Sequence, residues 1–133
     1  MINSFKIPNG CLESIALSGN DVMSQGCKHL NILAQRIKTL KSISVDNAKI
    51  ECSGLSYLWI CFNDEEDDLK LDFLSAKGNK INIEWALRLN FKLTSPLKVK
   101  NLSLGNNLLG DKGAKELLIY FKNNAYLETL DLS

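Results

Sequence analysis

Apolar residues recur along this chain in a pattern that changes period inside each unit. Numbering Val99 as position 1, the clearest copy places Leu102 at position 4, Leu104 at 6, Asn107 at 9, Leu109 at 11 and Gly113 at 15. Earlier copies read Leu12, Ile15, Leu17, Asn20, Val22, Gly26; then Leu40, Ile43, Val45, Ala48, Ile50, Gly54; then Leu71, Leu74, Ala76, Asn79, Ile81, Trp85. A fifth begins at Leu127, Leu130 and Leu132. Alternation at positions 4 and 6 predicts a short strand, and the apolar intervals of three and four after position 15 predict an amphipathic helix.

The spacing carries the repeat. Position 1 falls at residues 12, 40, 71, 99 and 127, giving intervals of 28, 31, 28 and 28. Position 19 then holds Leu30, Leu58, Leu89 and Leu117, and position 23 holds Ala34, Phe62, Leu93 and Phe121. Each unit is a strand, a turn and a helix, and no unit buries its apolar edge without neighbours. One repeat domain is expected over residues 12–133, in units 12–39, 40–70, 71–98, 99–126 and a partial 127–133. Residues 1–11 carry Ile2, Phe5 and Ile7 before a Pro8-Asn9-Gly10 turn signal, with no room for a helix; a hairpin cap over the first strand is expected there.

Three departures stand out. Ala48 occupies position 9, where the other complete copies have Asn, with Asn47 beside it, so a turn displaced by one residue stays open as an alternative. Trp85 occupies position 15, where the other copies have Gly, and must change how that turn enters its helix. Asn63 to Asp68 is an acidic run that accounts for the longer second interval and reads as a solvated loop. The first helix is expected over about residues 24–38, with Cys27, Leu30, Leu33, Ala34 and Ile37 inward, and the third is expected to end before Ser95-Pro96.

Composition narrows the function. Sixteen basic and fifteen acidic residues leave a net charge of +1, so no field of one sign is available for nucleic acid or an anionic membrane. No run of about 18 apolar residues or signal peptide is evident, and a cytoplasmic protein is expected. The four cysteines lack metal-quartet or disulfide spacing, so reduced thiols are expected, with Cys27 a small core residue and Cys52 in a turn. His29 lies two residues from Cys27, and such neighbours on a helix point to different sides, which argues against a nucleophile pair. No cofactor or metal site is expected, and the chain does not read as an enzyme.

The repeated L-x-x-L-x-L-x-x-N-x-L, followed by G-x-x-x-L, resembles the ribonuclease-inhibitor type of leucine-rich repeat over residues 12–133. The resemblance implies an α/β solenoid, a short horseshoe with a concave parallel sheet and helices on the convex side. It implies that Asn20, Asn79 and Asn107 form a ladder bonding the backbone of adjacent turns, with a rung missing at Ala48. It further implies a module that binds another protein, as an inhibitor or modulator of an enzyme or as the sensing part of a longer receptor or scaffold. Gly113-Ala114-Lys115-Glu116-Leu117 is also similar, in part, to the repeats of bacterial effectors of the GALA kind, which implies action in a host cytosol.

Strand alternation gives the open face directly, because positions 3, 5 and 7 point away from the core. Those residues are Ser14, Ala16 and Ser18; Ser42, Ser44 and Asp46; Phe73, Ser75 and Lys77; Asn101, Ser103 and Gly105; and Thr129, Asp131 and Ser133. Phe73 is the large apolar side chain among small polar ones, the expected anchor. Asp46, Lys77 and Asp131 read as recognition charges. Five strands spaced about 4.8 Å apart offer a patch near 320 Å², well under the roughly 800 Å² per partner of a stable interface. The loop residues Asp21, Lys49 and Lys80, an edge, or missing repeats are expected to contribute. The last strand, Leu127 to Ser133, is a candidate edge for self-association.

Overall fold

The computed structural model describes residues 11–63, 69–92, 96–122 and 126–133, with the side chains of all but residues 90–92. Apart from Cys11, the expected cap at residues 1–11 lies outside the described residues. So do the acidic stretch 64–68 and the third helix's end at 93–95. Nine elements alternate along the chain: β1 (Ser14–Ala16), α1 (Met23–Ile37), β2 (Ser42–Ser44), α2 (Glu51–Cys61), β3 (Leu71–Ser75), α3 (Ile83–Lys92), β4 (Val99–Ser103), α4 (Gly110–Phe121) and β5 (Thr129–Asp131). The fold is α/β, with one five-stranded parallel sheet ordered β1-β2-β3-β4-β5. Cys52 lies in the first turn of α2 rather than in the preceding turn.

Register follows the repeat frame. Ser14 pairs with Ser42, Ser42 with Phe73, Phe73 with Asn101 and Asn101 with Thr129, all at position 3. The three extra residues of the second unit therefore fall outside the paired strands. Positions 4 and 6 supply Ile43, Val45, Leu74, Ala76, Leu102 and Leu104, all buried in one cluster with helix residues Cys27, Leu30, Ala34, Leu55, Leu58, Leu89 and Leu117. One face of the sheet is thus covered by the helices, and Leu33 and Ile37 on α1 are half-buried at its margin.

The turns explain where the glycines and asparagines sit. Position 8 adopts a left-handed backbone in all four complete units: Gly19 at φ 80°, Asn47 at 50°, Gly78 at 65° and Asn106 at 53°. Gly and Asn tolerate that conformation best. Asn47 is therefore the left-handed turn residue in its proper place, which removes the alternative of a displaced turn: Ala48 is the true position 9.

Position 15 decides how closely successive helices approach. A Cβ on Gly54 would meet Ile50 Cβ at 2.7 Å, Cys27 Sγ at 3.2 Å and Ser24 Cα at 3.3 Å, so only Gly lets α2 start this close to α1. At Gly113 a Cβ would crowd Leu109 of its own turn, at 2.9 Å from Leu109 Cβ, and would reach Ile83 Cα of α3 only at 3.6 Å, an ordinary contact distance. In the third unit the indole of Trp85 takes this place. There Asn82 Oδ1 accepts a hydrogen bond from Trp85 N at 3.2 Å, and the helix begins at Ile83. Extensive helix contact accordingly joins α1 to α2 and α3 to α4. Trp59 of α2 makes aromatic links to the next two helices: its ring centre lies 5.1 Å from that of Trp85 on α3, and 5.6 Å from Tyr120 and 5.9 Å from Phe121 on α4.

Candidate binding surface

The strand face away from the helices is lined by the residues the alternation assigns to it, and a polar network organises them. Ser18 Oγ donates to Ser44 Oγ at 3.4 Å and accepts Asp46 N–H at 3.0 Å. Asp46 Oδ1 accepts from Ser75 Oγ at 2.6 Å and from Lys77 N at 2.8 Å. Lys77 Nζ extends to Asp131 Oδ2 at 3.4 Å. Asp131 in turn accepts from Ser103 Oγ at 3.1 Å, from Ser133 Oγ at 2.6 Å and from Ser133 N at 3.0 Å. The Ser133 hydroxyl and N–H, then Ser103 and the Lys77 ammonium, hold the Asp131 carboxyl well below the usual carboxylate range.

Two expected recognition residues are thereby covered. Ser75 is 2% exposed and Ser103 6%, because the carboxylates of Asp46 and Asp131 lie against their hydroxyls. Ser14, Ser18 and Thr129 are exposed, and Ser42, Ser44, Asp46, Lys77, Asn101 and Asp131 are half-buried. Phe73 is 38% exposed, flanked in register by Ser42 and Asn101. Asn101 is itself fixed, donating to Asp72 O at 2.8 Å and accepting from Thr129 Oγ1 at 2.6 Å. At the rim, Asp21 pairs with Lys49 at 3.4 Å, while Lys80 has no acidic partner among the described residues.

The asparagines at position 9 stitch the units together. Asn79 Oδ1 accepts from Ala48 N at 3.0 Å and Ile50 N at 3.2 Å, while its Nδ2 donates to Val45 O and Lys77 O. Asn107 repeats the arrangement one unit on, accepting from Asn79 N at 2.9 Å and Ile81 N at 3.0 Å. Among the described residues Asn20 bonds only its own turn, through Leu17 O and Ser18 O. Ala48 offers no amide to the first unit, and there Val22 N turns to Asn20 O at 2.9 Å.

One rim residue escaped the sequence reading. Leu108 shares position 10 with Asp21, Lys49 and Lys80 and is 64% exposed. Its signal is the pair Leu108-Leu109, of which only position 11 can point inward. No cluster of three or more His, Cys, Asp or Glu residues placed to hold a metal occurs among the described residues. No helix among them is long and apolar enough to cross a membrane. A scan of protein-family models gave no match to this chain, and a search of curated proteins gave none either.

Proposed function

We propose that this chain is a leucine-rich repeat solenoid of the ribonuclease-inhibitor type that binds another protein through its strand face and adjoining loops. The observation that carries this reading is Phe73: a large apolar ring, 38% exposed, held among fixed small polar side chains. An aromatic anchor surrounded by rigid polar groups is the usual composition of an interface centre. The sequential parallel sheet and the position 9 asparagines support the solenoid. Leu108 and Lys80 enlarge the patch toward the turns, as the area shortfall requires. A partner that projects a feature with both apolar and charged groups fits this face, and modulation of an enzyme is the role we assign to such binding. The working compartment is the cytosol.

The test is a quantitative comparison of Phe73→Ala, Ser42→Arg and, on the opposite side, Leu118→Ser. Partners captured by the wild type from the source cells are purified and their affinities remeasured by calorimetry. Loss of at least about tenfold in the two strand-face variants, with Leu118→Ser unchanged, is expected for an anchor contact. A partner bound equally by all four proteins overturns the assignment of the strand face.

A further inference from the structure

The helix side carries a second feature that the strand-face reading does not use. Between α2 and α3 opens a groove of about 310 Å³, walled by Trp59, Ile60, Trp85 and Leu89, with Ser56 on its α2 side and Arg88 on its α3 side. Its origin is the substitution at position 15: where Gly54 touches α1 and Gly113 touches α3, the indole of Trp85 holds α3 away from α2.

Its charge is unbalanced. Arg88 is the only charged side chain of the lining, is exposed, and has no acidic partner among the described residues. A guanidinium beside an apolar recess suits an apolar group ending in a carboxylate, which the planar fork can bind through two parallel hydrogen bonds. Small-molecule sites span about 300–1,000 Å³, so the volume admits a compact ligand. A folded protein surface needs far more contact area.

We propose that the α2–α3 groove binds a small apolar monocarboxylate, an aryl- or alkyl-carboxylic acid, with its apolar end against Ile60 and the accessible margins of Trp85 and Leu89, above the buried Trp59, and its carboxylate on Arg88. The proposal stands independently of the strand-face reading. The chain's two tryptophans both line the groove, so intrinsic tryptophan emission reports occupancy with no added label.

The experiment titrates the full chain with 3-phenylpropanoate and, as the neutral counterpart, 3-phenylpropan-1-ol, following tryptophan emission and confirming by calorimetry. Arg88 is exposed and solvent screens its pairing with a carboxylate, so the acid is expected to bind about two- to fivefold more tightly than the alcohol. Arg88→Gln, at an exposed position, should erase that preference without changing the circular dichroism. Ser56→Phe, which fills the groove from the α2 side, should abolish binding of both compounds. Equal affinities for acid and alcohol, a preference that survives Arg88→Gln, or no emission change up to the solubility limit each overturn the proposal. So does Arg88-dependent binding seen only with a peptide ending in phenylalanine, which would assign the groove to a chain terminus instead.

Discussion

Lys77 Nζ lies 3.4 Å from Asp131 Oδ2, although Lys77 follows β3 and Asp131 belongs to β5, with β4 between them. Gly105, the intervening residue at Lys77's position, carries no side chain to obstruct the crossing. The pair links the last strand to the middle of the sheet, and the Ser133 hydroxyl and N–H, ahead of Ser103 and Lys77, hold its carboxyl below the usual carboxylate range. Because the folded carboxyl titrates below its unfolded value, its contribution is complete above about pH 4, the ordinary aspartate range. It is lost as pH falls from there toward the folded value. Asp131→Asn should therefore lower the urea midpoint at pH 7, and the gap from wild type should be narrower at pH 3. A gap of the same size at both pH values would show that the carboxylate's charge is not what matters.

Asn79 and Asn20 occupy equivalent positions with unequal work. Asn79, 1% exposed, satisfies the N–H groups of Ala48 and Ile50, both fully buried. Each buried donor left unmet costs about 1–3 kcal/mol, so Asn79→Ala, which orphans two, is expected to cost roughly 2–6 kcal/mol. Asn20 is exposed and, among the described residues, bonds only its own turn, so Asn20→Ala should stay within about 0.5 kcal/mol. Denaturant unfolding of both variants measures the difference. Equal losses would mean that bonds between units add nothing to stability.

Much of this was legible because a repeat is a statement about periodicity, and periodicity survives a local departure. Ile43, Leu74 and Leu102 could be placed side by side from spacing alone, and the register does so. The covering of Ser75 and Ser103 was not legible. It depends on where the carboxylates of Asp46 and Asp131 turn, a choice of side-chain rotamer that strand alternation does not encode. The α2–α3 groove was half legible. Trp85 at a glycine position announced a disturbed turn, but only the packing of α2 shows that the disturbance opens a recess.

Burial separates the cysteines. Burial pushes the Cys27 thiol up to about 12, and that residue, on α1 and facing Gly54 of α2, is fully buried, whereas Cys11 is exposed. The thiolate is the reactive species. At pH 8, Ellman's reagent should modify Cys11 within the native protein and reach Cys27 only after unfolding, with peptide mapping to locate the label. Fast modification of Cys27 under native conditions would contradict the packing at position 16.

Gly54 and Gly26 share position 15, yet substitution should separate them. A methyl group on Gly54 would press on Cys27 Sγ and on the backbone at Ser24, neither of which can retreat without moving α1. Overpacking of that kind costs about 1–3 kcal/mol. On Gly26 the same methyl group meets Val22, a half-buried side chain of its own turn, with no atom of another unit within 4 Å. The roughly 0.5–1 kcal/mol gained by replacing Gly with Ala in a helix offsets much of that clash. Gly26→Ala should therefore fall within about 0.5 kcal/mol of wild type, and Gly54→Ala should be clearly destabilised in urea unfolding. If both variants match wild type, close approach of α2 to α1 is not what the glycine secures. The contrast with Trp85, and the explanation of the groove built on it, would then fail as well.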